Sequence, residues 1–234
     1  MKKFDAVFFD VDSTLVKIEG LDWIASYKEK GGEIQELTKK SMEGRMGFNE
    51  AMVKKMRILA PSLEEMRMLG RIYCQHLVDG VEHVVSLLHA LGKEVWILSG
   101  NFRPAVEILA EKLGIPDDRI ICNNIFFNAH GAYCGFDVEN DLTHNNGKAR
   151  VMKRICRKNK HRTVFVGDGV TDLEAKDCVA LFVGFGGVVE RKIVKEKADV
   201  YISTPSLYPL LDHILNEDEK RKLSSIQYIK NYAV

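Results

Sequence analysis

No stretch of this chain approaches the roughly 18 consecutive apolar residues that a membrane-spanning helix needs. Charge of one sign is missing too. There are 34 Lys and Arg against 33 Asp and Glu, a net charge of +1, so neither nucleic acid nor an anionic membrane is expected as a partner. The five cysteines, Cys74, Cys122, Cys134, Cys156 and Cys178, are odd in number and widely spaced, with no Cys-x-x-Cys among them. They read as buried free thiols rather than a disulfide framework. No His-x-x-x-His or Cys/His cluster offers a zinc site. Internal repeats and low-complexity tracts are absent. The start, Met1-Lys2-Lys3, is basic, but the apolar run after it is short and ends in Asp10 and Asp12, unlike a cleaved leader. A cytoplasmic protein is the expectation.

What remains is an ordinary globular composition, 46% hydrophobic over 234 residues, enough for one large domain or a domain with a sizeable insertion. Ala6 to Phe9 is a short apolar run that suits a strand buried on both faces. From Leu21 to Tyr73 the chain turns rich in Lys, Glu, Met and Leu, and Glu33–Lys40, Phe48–Leu59 and Leu63–Cys74 read as helices. The rhythm then alternates. Helix Val84–Leu91 stops at Gly92, strand "EVWILSG" ends in Ser99-Gly100, and a helix opens near Pro104 and stops at Gly114. Strand "RIIC" follows. Ile125–Phe127 and Ala132–Phe136 flank Asn128-Ala129-His130-Gly131 as a hairpin. Helix Lys148–Lys158, strand "TVFVGDG", helix Leu173–Cys178, strand "ALFVGF", helix Val189–Lys197, strand "DVYI" and helix Leu207–Leu215 complete the series. The basic run "KRICRKNK" reads as a solvated helix face, and residues 217–234 as either helix or tail. The fold class is α/β, a doubly wound, mostly parallel, Rossmann-like sheet with a helical cap insertion. Residues 1–17 and 79–234 form the core, with a hairpin near 124–137, and residues 18–78 form the cap.

In an open α/β sheet the ligand site lies beyond the carboxyl ends of the strands. Asp10 and Asp12 follow the first strand, Ser99 and Gly100 a second, and Asp168 and Asp172 of "GDGVTD" a third, while Lys148 opens the helix before it. Carboxylates crowded at one edge repel each other unless a cation joins them, and oxygen-only ligands favour Mg²⁺. A lysine, a serine hydroxyl and loop N–H groups bind phosphate. Together these describe phosphoryl transfer. One Asp, ionised at neutral pH, can serve as nucleophile. A second acid can protonate the leaving alkoxide and then deprotonate the attacking water.

"DVDSTL", "LSG", "GK" and "GDGVTD" resemble, in this order, the four signature motifs of the haloacid dehalogenase-like superfamily. "FFDVDSTLVKIEGLD", "SMEG", "GNFRPAVEILAEKLGIP" and "VGFGGVVER" further resemble the phosphoserine phosphatase family, with similarity from about Phe4 to Ile202. The resemblance implies Asp10 as nucleophile and Asp12 as general acid and base. It implies Mg²⁺ held by Asp10, the Asp12 carbonyl and Asp168, and phosphate bound by Ser99, Gly100 and Lys148, with Asp172 in support. Glu19, Met42, Gly44, Phe48, Thr171 and Arg191 match substrate-site positions. Two positions depart from the pattern. Lys55 stands where the family has a carboxylate-gripping arginine, and Asn101 where it has a second glycine. Arg57 is near in sequence, but two helical residues turn it about 200° away. Lysine supplies charge without the bidentate fork, which leaves redirected specificity open. The expected enzyme is a phosphomonoesterase acting on a small phosphorylated metabolite, phosphoserine foremost, as a monomer or homodimer. A phosphatase or phosphotransferase of the same family with another small phosphorylated substrate is the alternative, and a receiver-like phospho-acceptor signalling domain the remote one.

Overall fold

The computed structural model describes residues 4–42, 45–157 and 160–223. Strand β1 (Ala6–Phe9) enters the interior at once, and its side chains go alternately to the two faces of the sheet. Val7 and Phe9 join one hydrophobic cluster and Phe8 joins another. Four helices follow: α1 (Gly20–Tyr27), α2 (Gly31–Met42), α3 (Phe48–Leu59) and α4 (Leu63–Gln75). α4 starts at a capping box in which the Ser62 Oγ accepts from the Glu65 N–H and a Glu65 carboxylate oxygen accepts from the Ser62 N–H. Its buried face is Met66, Leu69, Gly70 and Tyr73, the spacing of one helical stripe.

The chain returns through α5 (Val81–Ala90) into β2 (Glu94–Phe102), then α6 (Arg103–Lys112) and β3 (Ile120–Asn123). The hairpin β4 (Ile125–Phe127) and β5 (Tyr133–Phe136) stands as a separate antiparallel pair. Its turn reaches the helical block, where the Leu63 N–H donates to the Gly131 carbonyl at 2.9 Å. α7 (Gly147–Ile155), β6 (Thr163–Gly167), α8 (Val170–Leu173), β7 (Leu181–Phe185), α9 (Lys192–Lys197), β8 (Val200–Ile202) and α10 (Leu210–Ile214) complete the order. The sheet runs β3-β2-β1-β6-β7-β8, all parallel. β1 lies where the winding direction changes, which is where doubly wound sheets open a crevice.

The expected fold class holds, and the differences are local. α1 is missing from the sequence reading, because it starts on a glycine and its Glu19 N-cap makes no side-chain cap. β2 does not stop at Ser99-Gly100. It runs to Phe102, with a register irregularity, because Phe102 pairs with Asn123 and the Asn123 amide donates to the Gly100 carbonyl at 2.7 Å. The helix expected over Leu173–Cys178 is instead α8 followed by a 3₁₀ turn at Lys176–Cys178. The helices expected over Val189–Lys197 and Leu207–Leu215 begin only at Lys192 and Leu210. Residues 217–223 are helical, capped where Asn216 and Glu219 exchange hydrogen bonds. Among the described residues no helix is long and apolar enough to cross a membrane.

Candidate active site

The end of β1 is tied to β6, since the Asp10 N–H donates to the Val166 carbonyl at 3.0 Å. The chain then turns tightly: the N–H groups of Thr14, Leu15 and Val16 all point at the Val11 carbonyl. Ser13 takes a left-handed conformation (φ 51°) to make that turn, which is uncommon for a residue with a side chain. The result sets Asp10 and Asp12 at the carboxyl edge of the sheet. Ser99, wholly buried, arrives on β2, Asp168 just past β6, and Asp172 on α8.

Lys148, near the start of α7, joins these segments. Its Nζ lies 2.8 Å from Asp10 Oδ1 and 2.5 Å from Asp172 Oδ1. Burial works against the ammonium, but the two carboxylates outweigh it and raise its pKa above the ordinary lysine value. The second Asp172 oxygen accepts from the Gly169 N–H at 2.8 Å. Arg191 Nε donates to Asp168 Oδ2 at 3.0 Å and its guanidinium lies 3.6 Å from Glu19. Glu19 also accepts from the Ser13 hydroxyl at 2.8 Å.

Asp10, Asp168 and Asp172 bring carboxylate oxygens within 4.8 Å of one another, all three buried. Burial, then the neighbouring Asp172 and Asp10, pushes Asp168 up to about 8. Burial, then Asp10, pushes Asp172 up to about 6, against the pull of Lys148. This negative charge exceeds what Lys148 and Arg191 balance, and the donors are all oxygen. A hard divalent cation fits such a donor set.

Asp12 faces away from this cluster. Its Oδ2 accepts from the Gly20 N–H at 2.9 Å and its Oδ1 from the Tyr73 hydroxyl at 2.9 Å. Burial first, then repulsion from Glu19, pushes its pKa up to about 7. Tyr73 was invisible as a site residue in the sequence, where it is simply the last member of the apolar stripe of α4. Only the requirement that a fully buried phenol find a partner would have marked it.

Above the acids sits a cavity of about 230 Å³. Of the expected residues, Asp10, Asp12, Glu19, Phe48, Lys55, Ser99, Gly100, Asn101, Lys148 and Thr171 line it. Asp22, Met52 and Glu174 also line it, and the sequence reading missed them. Arg191 is not among the lining residues, because Asp168 and Glu19 occupy it. Asp168 and Asp172 lie behind the lining as well. The Met42 side chain and Gly44 lie outside the described residues. Lys55 is half-buried, and burial lowers its pKa while Asp22 and Glu19 oppose the shift. Arg57, by contrast, is exposed. The Asn101 N–H donates to the Ser99 hydroxyl at 3.2 Å and its side-chain amide lies 3.5 Å from the same oxygen, so the extra side chain stands beside Ser99 in the cavity.

The model of the haloacid dehalogenase-like hydrolases matches residues 4–175. The phosphoserine phosphatase of Bos taurus is 37% identical over 200 residues, covering 85% of this chain and 89% of that protein. A solved phospho-aspartyl intermediate analogue of phosphoserine phosphatase superposes with a TM-score of 0.74 at 29% identity, covering 92% of this chain and all of that one. A substrate-bound phosphoserine phosphatase complex gives 0.76 at 28% identity with the same coverage. The chain belongs to the haloacid dehalogenase-like hydrolases and, within them, to the phosphoserine phosphatase family.

Proposed function

We propose that this enzyme hydrolyses phosphoserine to serine and inorganic phosphate through an aspartyl-phosphate on Asp10. The observation that supports this best is Asp10 itself, lining the cavity with its carboxylate held 2.8 Å from Lys148 and Asp12 two residues on. In the first step a carboxylate oxygen of Asp10 attacks phosphorus. The bond from phosphorus to the serine oxygen breaks, and Asp12 gives that oxygen its proton. In the second step Asp12 takes a proton from a water whose oxygen attacks phosphorus. The bond to Asp10 breaks, phosphate leaves, and both acids return to their starting states. A proton affinity near 7 suits Asp12 to both transfers.

Asp10, the Asp12 carbonyl and Asp168, with Asp172 beside them, would hold Mg²⁺. When bound, the ion offsets the repulsion between these acids and the phosphoryl oxygens. Ser99, Gly100 and Lys148 bind the phosphoryl group. The far side of the cavity carries Glu19 and Asp22 for an ammonium and Lys55 for a carboxylate, the two charges of an amino acid. Phe48 and Met52 wall off the rest. Residues 18–78 act as a cap over this space.

A second reading, another small phosphomonoester, rests on Lys55, which grips a carboxylate less specifically than an arginine fork. Phosphate release with Mg²⁺ across phosphoserine, phosphothreonine and small phosphomonoesters without an amino-acid end separates the two. The highest kcat/KM should belong to phosphoserine. A higher value for an ester lacking the amino-acid end would favour the second reading.

A further inference from the structure

Tyr73 lies 61 residues from Asp12 in sequence, yet its hydroxyl donates to Asp12 Oδ1 at 2.9 Å. The ring is wholly buried and does not line the cavity, so the phenol does not meet substrate. Its surroundings fix it. Gly70, one turn earlier on α4, lets the helix approach so closely that a Cβ there would stand 2.8 Å from the Ala105 carbonyl and from Ile108 on α6. The hydroxyl is equally confined on its own side, where a Cβ on Gly20 would stand 2.0 Å from it. Gly20 in turn donates its N–H to the other Asp12 oxygen. Gly20 and Tyr73 therefore reach Asp12 from two elements, α1 and α4, each taking one acceptor position of the carboxylate, and the Asn101 side-chain amide on β2 is a further partner. A carboxylate offers about four such positions. The position these three groups leave open is where a transferable proton resides.

We propose that Tyr73 is a positioning residue for proton transfer: its hydroxyl, anchored through α4 to the core, fixes the Asp12 carboxyl so that the free position faces the leaving oxygen. This rests on the proposed role of Asp12. The step itself is unchanged: as the Asp10 oxygen–phosphorus bond forms and the bond to the leaving oxygen breaks, the Asp12 proton passes to that oxygen. Without the phenol the carboxyl can rotate away from it. The loss should then scale with how much the leaving group needs a proton. Serine leaves as a strongly basic alkoxide, whereas p-nitrophenolate leaves readily unprotonated.

The test is kcat/KM for phosphoserine and for p-nitrophenyl phosphate in Tyr73→Phe, Gly20→Ala and Asp12→Asn. Tyr73→Phe removes only the hydroxyl, and it should cost about tenfold or more on phosphoserine against about twofold or less on p-nitrophenyl phosphate. Gly20→Ala, which displaces the phenol by contact, should reproduce that split and provides the measurement if the first variant does not fold. Asp12→Asn should show the largest split. Equal losses on both substrates in Tyr73→Phe and Gly20→Ala, with the split present in Asp12→Asn, would overturn the role of Tyr73 alone. No split in Asp12→Asn would instead remove the role of Asp12, and that of Tyr73 with it.

Discussion

On the proposed function, substrate choice turns on Lys55. It lines the cavity near Glu19 and Asp22, while Arg57 is exposed. A charge-assisted contact of this kind contributes about 1.5–3 kcal/mol, or roughly 10- to 150-fold in binding. Lys55→Met should raise KM for phosphoserine by about tenfold or more and leave p-nitrophenyl phosphate, which has no carboxylate, nearly unchanged. Steady-state kinetics on both substrates checks this. Cys122 shows how burial sets reactivity. Its thiol is pushed up to about 12, chiefly by desolvation. Burial favours the neutral form, so at pH 8 only about one molecule in 10⁴ carries the thiolate, against roughly a quarter for a free thiol. Alkylation at pH 8, followed by peptide mapping, should mark exposed Cys134 well before buried Cys122 in the folded protein. At this scale the acids of "DVDST" and "GDGVTD" were legible in the sequence because each follows an apolar strand. Tyr73 was not, because nothing local distinguishes a buried phenol that meets an acid from one that fills a core.

Elements were legible where one force decides them. β1 is apolar throughout and β6 is apolar after Thr163, and both are buried on both faces, so their runs could be read directly. β2 could not, because Ser99-Gly100 carries a turn signal that pairing with β3 overrides. α1 lacked both a polar cap and a long periodic face, and only its packing beside α2 and α4 makes it a helix. The contact of α4 with α6 depends on one glycine. Gly70→Ala would press a methyl against the Ala105 carbonyl and Ile108. Overpacking of this kind costs about 1–3 kcal/mol. Urea unfolding should therefore show that loss for Gly70→Ala, with a helical circular-dichroism spectrum retained. Unchanged stability would mean that the two helices separate freely.

Across the whole molecule, segments from opposite ends of the described residues, at Phe4 and Glu219, are fastened through a buried charge. Lys93, ahead of β2, donates to the Phe4 carbonyl at 2.7 Å and pairs with Glu219 at 2.7 Å, with its side chain 2% exposed. A buried pair adds little net stability, but removing one partner strands the other and costs about 3–5 kcal/mol. Lys93→Met should lose about that much in chemical unfolding while kcat is retained, and the double variant Lys93→Met/Glu219→Met should recover most of the loss. The partners stand 126 residues apart, so composition and periodicity carried no sign of the pair. The same holds for the meeting of Lys148 with Asp10 and Asp172, yet the order of strands and motifs anticipated that meeting, because a doubly wound sheet collects strand ends at one edge. The proposal that the whole fold serves covalent catalysis at Asp10 is tested by rapid quenching of a reaction with radiolabelled phosphoserine and Mg²⁺, followed by peptide mapping. Label should appear transiently on the peptide containing Asp10 and be absent in Asp10→Asn, with turnover abolished. Full turnover by Asp10→Asn, or label on another residue, would contradict it.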